Sequence, residues 1–352
     1  MQIVKNIGKK ILFSLIGIFF ILQRSQIAEA HVQWFSEPNM SEKLPSFAHT
    51  ITIEWIVMAA IISCIVFCAV CVDRFIGRQK YFQHIYLMLN NLKPWLFDMF
   101  RIALGFFLIS LWILGGIILT PELKTNQNWI PWFQLILALS LIHRKSSFIA
   151  GFGIIFLYFY AMNIYGVFNL LNYVIFLGVA LFVITCSLDL KKLQKHKYAF
   201  LQAGTIFTLM WASIEKFTYM NWYDEILHTH SHIMFGMDPY IFMLTASFFE
   251  FSLPFIMLIG NFASRLAALP IMVMFILAVI DFGKIDLIGH SVMIACLVAL
   301  VITGPTELTQ LFRRKQTRSL PIYSGMLVGA HYALLGIFFI LYYVVHYTQY
   351  GV

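Results

Sequence analysis

The sequence predicts an all-α integral membrane protein with about ten transmembrane helices, arranged as two tandem four-helix bundles with flanking spans. Hydrophobic residues make up 61% of the 352 residues and charged residues only 11%, whereas a soluble domain carries about 25% charged residues. A soluble globule of this size has no way to cover so much apolar surface. The composition therefore excludes a soluble enzyme, a disordered scaffold and a nucleic-acid binder. The net charge of +8 lies in short basic clusters between apolar runs, as membrane topology requires.

The first thirty residues have the pattern of a secretory signal peptide. A basic start is followed by the apolar residues 11–22 and by Ala28-Glu29-Ala30, a cleavage motif. The apolar stretch is too short to cross a bilayer, which takes about 20 residues. Cleavage after residue 30 would leave residues 31–50 as a periplasmic N-terminal segment that begins with His31. The alternative is an uncleaved anchor.

Ten apolar runs follow, and each predicts a membrane-spanning helix. Residues 51–99 comprise the first span and a cytoplasmic linker, and residues 305–352 comprise a cytoplasmic basic loop and the last span. Between them lie the two bundles, 100–190 and 198–304. The predicted spans are 51–72, 100–120, 130–142, 147–168, 170–188, 198–216, 240–260, 264–282, 286–304 and 324–346.

The distribution of Lys and Arg orients these spans. With the mature N-terminus outside, the inner segments 73–99, 143–147, 189–197, 261–265 and 305–320 hold fifteen basic residues, and the outer segments hold four. Basic residues concentrate on the cytoplasmic side of membrane proteins. The sequence therefore predicts a multi-pass protein of the bacterial inner membrane with a periplasmic N-terminus, and the lipid bilayer as its first partner.

Two stretches of the chain are alike and predict a repeated four-helix unit. Residues 166–173 (GVFNLLNY) open one span and residues 283–290 (GKIDLIGH) open another. Similar runs follow at 179–185 and 298–303, and a basic turn precedes each pair of spans. The matched polar positions are Asn169 and Tyr173 in the first unit and Asp286 and His290 in the second. The sequence thus predicts one working bundle and one structural partner.

Four features of this unit resemble the DoxX family of membrane proteins. The first span is small and contains glycine (Arg101 to Gly105), the second carries an internal acid (Glu250), the third opens with Arg265, and the fourth is entered through a polar segment that ends at His290. The similarity is clearest over 198–304 and weaker over 100–188. The resemblance implies a four-helix membrane unit and a link to membrane oxidoreductase assemblies, including those that pass electrons from thiosulfate to quinone.

Residues on the predicted outer side contain the metal-ligand pattern His228-Thr229-His230-Ser231-His232. All three imidazoles share one face in an extended segment, and two share a face in a helix. Imidazole and carboxylate suit transition metals, so we expect a metal site here, with copper as the first candidate and iron as the second. The alternative is a solvated periplasmic loop.

A cleaved chain would add His31, whose terminal amine and imidazole together chelate copper. Glu215 is a further predicted ligand, or else one half of an exposed pair with Lys216 that contributes little.

Glu250, Asp286 and His290 lie within predicted spans, where a charge costs about 2.5–3.5 kcal/mol or more and calls for a partner or a cavity. Asp286 and His290 are four residues apart, which places them on one helical face with the carboxylate able to orient the imidazole. We therefore predict Glu250 and Asp286 as catalytic residues, and His290 as a metal ligand beside His228, His230, His232, His31 and Glu215. The alternative for Asp286 is that, together with Asp281 and Lys284, it simply caps two spans at the water interface.

These features predict a DoxX-like inner-membrane protein with a periplasm-facing metal or redox site, acting as a subunit of a membrane oxidoreductase system. Quinone is a candidate cofactor, and periplasmic or membrane redox and metal-handling proteins are candidate partners. The alternative function is non-enzymatic: copper binding or delivery, or assembly.

Overall fold

The structure is a computed structural model that describes residues 43–46, 50–76, 79–312 and 319–351. The all-α prediction is confirmed for these residues, which form thirteen α-helices and no β-strand. The predicted signal peptide, its cleavage motif and His31 lie outside the described residues.

The helices lie close to the predicted spans. In chain order they are α1 Ile53–Cys71, α2 Lys80–Asn90, α3 Leu96–Leu114, α4 Trp129–Ser140, α5 Ser147–Leu170, α6 Ile175–Ser187, α7 Lys197–Thr218, α8 Asp224–Thr229, α9 Pro239–Ile259, α10 Phe262–Phe282, α11 Lys284–Thr303, α12 Glu307–Phe312 and α13 Leu320–Tyr350. The linker predicted at 73–99 is mostly helical, because it contains α2 and the start of α3.

Seven segments among the described residues are long and apolar enough to cross a membrane: 53–76, 80–114, 147–173, α9, α10, α11 and α13. The chain is therefore a multi-pass membrane protein. The predicted number of ten spans is not confirmed. With 12 and 13 residues, α4 and α6 extend about 18 and 20 Å, short of a hydrocarbon core of about 30 Å. The helix α7 is long enough, but it carries Gln202, Glu215 and Lys216 and is less apolar.

Helices adjacent in sequence pack against each other in two sets. The first set is α3 to α6, and the second set is α7, α9, α10 and α11. The sets meet where α6 packs on α7 and α3 packs on α11. On the outside, α1 packs on α9, and α13 packs on α1 and on helices of both sets. This order is the one that two four-helix units would give; the predicted duplication itself stays a prediction.

Side chains fix several helix starts. Thr52 Oγ1 accepts a hydrogen bond from the Trp55 amide at the start of α1, and Asp238 Oδ1 accepts two amide hydrogen bonds at the start of α9, where Pro239 follows. Asp73 accepts from the amides of Asn261 and Ala263, at 2.6 and 2.8 Å. A carboxylate at a helix N-terminus satisfies free amides and complements the helix dipole, so Asp73 ties the end of α1 to the start of α10.

The bundle has two ends with different chemistry. The basic end holds the segments 73–76, 79–95, 141–146, 188–196 and 260–265, with their Lys and Arg residues. The opposite end holds the segments 115–128, 171–174 and 219–238 and the last turns of α13. We call it the glutamate end, because three glutamates lie at or near it, as described below.

Candidate functional site

The glutamate end contains a buried group of acidic side chains around Glu215, near the end of α7. Glu215 is only 1% exposed. The amide of Asn172, which precedes α6, donates to its Oε2 at 3.2 Å, and the hydroxyl of Tyr223 donates to its Oε1 at 3.4 Å. Glu215 thus lies where the two helix sets meet.

Lys216 forms its ion pair with another glutamate. Its Nζ lies 2.7 Å from Glu250 Oε2, and both side chains are largely buried. Successive residues of an α-helix point about 100° apart, so Lys216 turns toward α9 while Glu215 turns toward the first set. The alternative of an exposed Glu215–Lys216 pair is therefore wrong. The prediction that Glu250 lies within a helix and has a partner is confirmed.

A third glutamate comes from the loop between α3 and α4. The side-chain amide of Gln134 donates to the carbonyls of Ile117 and Ile118, at 2.8 and 2.7 Å. This bond folds the loop inward, and its apolar side chains, including Leu119, are buried. Glu122 follows and hydrogen-bonds to Tyr173 at the start of α6. We call Glu122, Glu215 and Glu250, together with Lys216, the glutamate cluster.

Burial sets the protonation of this loop carboxyl. Glu122 as a residue is only partly buried, but its Oε2 makes no contact with solvent. The pKa of Glu122 is raised from 4.5 to about 8, mainly by desolvation; the hydrogen bond from Tyr173 opposes this rise, and the nearby Glu215 adds to it. Burial and the surrounding glutamates also raise the pKa of Tyr223 well above its ordinary value. Glu122 is therefore mainly protonated at neutral pH.

The sequence analysis does not single out Glu122, Asn172 or Tyr223 as site residues. The loop residues 117–120 continue an apolar run and are part of a predicted span, so the acid beyond them looks like an ordinary interfacial residue. One feature of the sequence does point to Glu122. It follows Pro121 within the apolar run from Ile117 to Leu123, and an acid flanked by apolar residues needs a partner if it is buried.

Asp286 and His290 form a second site on α11. His290 Nδ1 lies 2.8 Å from Asp286 Oδ2, which confirms that the two share a helical face. Asp286 is fully buried, His290 is largely buried, and the ring of Phe275 lies 4.5 Å from the imidazole. The carboxylate fixes the orientation of the imidazole.

The predicted histidine pattern lies at the rim of the glutamate end, on α8 and the turn after it. His232 Nε2 lies 3.3 Å from Asp281 Oδ1 at the end of α10, and the rings of His230 and His232 are 6.0 Å apart. His228 is exposed on α8. We call His230, His232 and Asp281 the rim group.

The predicted metal ligands therefore fall into three groups of contacts: Glu215 in the glutamate cluster, His290 with Asp286, and the rim histidines. Within the part of the chain that the structure describes, no three His, Cys, Asp or Glu side chains are close enough to hold a metal ion. His31 is outside that part, so the metal site stays a prediction.

Two further histidines are buried in α13. His346, which the sequence places at the outer end of a span, is fully buried, and its Nε2 lies 3.1 Å from the hydroxyl of Tyr219. His331 is also fully buried, with its Nε2 2.9 Å from Ser252 Oγ. Both pairs connect α13 to the second helix set.

Fold and site together define a multi-pass α-helical membrane protein with buried titratable groups gathered toward one end. No protein-family model matches the chain, and neither a curated protein nor a solved structure is significantly similar to it. The DoxX-like resemblance stays a hypothesis that rests on the residues quoted for it.

Proposed function

We propose that the protein is a subunit of a bacterial inner-membrane oxidoreductase system that passes electrons toward quinone, and that the glutamate cluster exchanges the accompanying protons. Reduction of a quinone to a quinol takes up one proton for each electron. A subunit of such a system needs groups that bind and release protons within the membrane. The DoxX-like resemblance supports the redox assignment, and the glutamate cluster supports the role in proton exchange.

The observation that carries this proposal is the burial of three carboxyl groups toward one end of the bundle. Among the described residues, Glu250 forms an ion pair with Lys216 at 2.7 Å, and Glu122 lies within electrostatic range of Glu215. Like charges in a poorly solvated site do not ionise together, so at least one carboxyl keeps a proton near neutral pH. A buried carboxyl that gains and loses a proton near pH 7 has the properties that general acid–base chemistry requires.

Orientation supports the same role. The positive-inside rule assigns the basic end to the cytoplasm, so the glutamate end would face the periplasm. Protons exchanged there would enter or leave on the exported side. Asp286 and His290 would then provide a second acid–base pair near the same face.

The test is quinone reduction by the purified protein in liposomes that contain decylubiquinone. The electron donors are thiosulfate, sulfide and a dithiol, each supplied separately, and quinol formation is followed by absorbance. We expect donor-dependent reduction that falls roughly 100-fold in Glu215→Gln, the usual scale for loss of an acid–base group. Glu225→Gln is the matched control, because Glu225 is exposed at the same end and its loss should leave the rate unchanged. Failure of all three donors to reduce quinone would contradict the proposal.

A second candidate function is copper binding or delivery at the rim, for which the geometry of the rim group is the supporting observation. Two elements bring His230, His232 and Asp281 together, and rotation of exposed side chains, or the addition of His31, would complete a ligand set. Elemental analysis of the purified protein tests it. Copper content should fall in the double variant His230→Ala, His232→Ala and persist in His143→Ala at the opposite end. Full copper content in the double variant would exclude the rim as the site.

A further inference from the structure

Three buried polar atoms around Glu215 have no hydrogen-bond partner among the described residues. They are Glu122 Oε2, Asn172 Oδ1 and the hydroxyl of Tyr342. Buried polar atoms are nearly always satisfied by protein or by ordered water. Several unsatisfied atoms near one carboxylate therefore indicate a bound polar ligand.

The three atoms come from parts of the chain that are far apart in sequence. Glu122 lies in the loop after α3, Asn172 in the turn before α6, and Tyr342 in α13. Asn172 touches Glu215 directly at 3.2 Å, and the side chains of Glu122 and Tyr342 lie within electrostatic range of it. Four segments thus present oxygen atoms to one buried region where the two helix sets and α13 meet.

The chemistry of these atoms selects the ligand. A carboxyl, an amide oxygen and a phenol offer acceptors together with one or two protons, which suits small molecules that both donate and accept. Buried water makes about three hydrogen bonds to groups of this kind. A transition metal is disfavoured, since no three suitable ligand side chains converge in the described part of the chain.

We propose that the glutamate cluster binds a small group of water molecules that hydrogen-bond to Glu122, Asn172 and Tyr342. The protonated carboxyl of Glu122 donates to this water, and the Asn172 oxygen and the Tyr342 hydroxyl supply further hydrogen bonds to it. A role of this water in proton transfer during catalysis rests on the proposed function. The bound water is a property of the resting protein.

The surroundings of Glu122 favour the protonated form. The titratable groups that face it are Tyr173, Tyr165, Glu215 and Tyr223, none of which is a cation. Lys216 forms its ion pair with Glu250. Burial raises the pKa of Glu122 to about 8, so its proton would be released as the pH rises through that value.

Infrared difference spectroscopy of the full-length protein in liposomes tests the proposal without donor or quinone. The pH is stepped from about 6 to about 10, across the shifted pKa, in ordinary and in oxygen-18 water. We expect O–H stretching bands that shift in oxygen-18 water, and a protonated-carboxyl band that disappears with an apparent pKa near 8. Glu122→Gln should remove the carboxyl band, whereas Glu225→Gln should keep it.

Tyr342→Phe should weaken the water bands and keep the carboxyl band. Tyr343→Phe is the matched control on the same helix, because the Tyr343 hydroxyl already donates to the Pro45 carbonyl, and it should leave the water bands unchanged. If a variant fails to fold, the oxygen-18-sensitive bands of the wild-type protein still test whether the cluster binds water. Absence of any oxygen-18-sensitive band, or persistence of the carboxyl band in Glu122→Gln, would overturn the proposal. Failure of quinone reduction with these bands intact would overturn only the proposed function.

Discussion

The two helix sets share a backbone feature and differ in the chemistry built on it. The third helix of the first set, α5, is kinked at Gly166, and the third helix of the second set, α10, ends just before Gly283; the two glycines have φ of 84° and 79°. L-residues other than glycine rarely adopt this conformation. Three residues after each glycine the chain places a polar side chain, Asn169 in the first set and Asp286 in the second.

The contacts of these two residues show what the difference means. The amide of Asn169 donates to the carbonyl of Tyr165 and to the hydroxyl of Tyr350, so it forms neutral contacts that hold α13. Asp286 instead pairs with His290, a titratable side chain. A charge in a membrane needs a partner, whereas a neutral amide needs only hydrogen bonds. The same turn therefore carries a neutral hydrogen-bonding amide in one set and a carboxyl–imidazole pair in the other.

The predicted division into one working and one structural bundle stays a prediction. Glu215, Glu250, Asp286 and His290 do belong to the second set. However, two members of the site come from the first set. Glu122 lies in the loop between α3 and α4, and Asn172 lies in the turn between α5 and α6. The glutamate cluster is therefore shared between the sets.

The largest loss of stability is expected for Lys216→Met, which breaks the ion pair between Lys216 and Glu250 in the second set. The substitution leaves Glu250 buried without a cation, and removal of one partner from a buried pair costs about 3–5 kcal/mol. Equilibrium unfolding in mixed micelles, followed by tryptophan fluorescence, measures the loss. Lys124→Met, at an exposed position of the loop between α3 and α4, is the control and should change stability little.

The double variant Lys216→Met, Glu250→Gln sharpens this prediction. It removes both charges, so most of the lost stability should return. A double variant no more stable than the single one would show that the cost comes from packing of the lysine stem.

A smaller loss of stability is expected when either of the two arginines that cap helix ends is replaced. Arg265 is buried and donates to the carbonyls of Val301, Ile302 and Thr303 at the end of α11, at 2.8, 3.1 and 3.2 Å. Arg101 is less buried, caps Leu141 and Ile142, and also binds Asp98.

Charged hydrogen bonds contribute about 1.5–3 kcal/mol, and the cation also faces the negative end of a helix dipole. Arg265→Met should therefore cost about 2–3 kcal/mol and Arg101→Met about half of that, in the same unfolding assay. Equal losses would mean that burial does not strengthen the cap of the second set.

The sequence predicts the helices far better than it predicts the site. Apolar runs long enough to cross a bilayer define α1, α9, α10, α11 and α13, because burial in lipid depends on composition and length. The i, i+4 spacing also predicts the Asp286–His290 pair, since both residues lie on one helix.

Contacts between distant segments are not encoded in any local pattern. Glu215 and Lys216 look like a surface pair until helix geometry turns them toward different neighbours. Glu122 reaches the cluster through a loop that Gln134 binds at the carbonyls of Ile117 and Ile118. The sequence shows the regular spacing of the rim histidines, but it does not show which residue they contact. The partner of His232 is Asp281, which is 49 residues away in the chain.

The glycine turns are expected to respond unequally to alanine. At Gly283 a new Cβ meets no other atom within 4 Å, so Gly283→Ala should cost only the backbone strain of about 1–2 kcal/mol. At Gly166 the Cβ also clashes with the side chain of Gln349, which accepts from the Phe168 amide and donates to the Tyr165 carbonyl. Gly166→Ala should therefore be the more destabilising of the two in the unfolding assay. The reverse order would contradict the role assigned to Gln349.

The smallest effect is expected for Asp286→Asn, which gives the second set the amide found at Asn169. The Asn oxygen still accepts from His290 Nδ1, so the hydrogen bond is retained while a buried charge is removed. The stability should change by less than about 1 kcal/mol, because the lost charge assistance and the avoided desolvation oppose each other. Asp286→Leu removes the acceptor as well and should be clearly more destabilising. If the Asn and Leu variants were equally unstable, the carboxylate charge itself would be what holds His290, and the second set would differ from the first in stability as well as in chemistry.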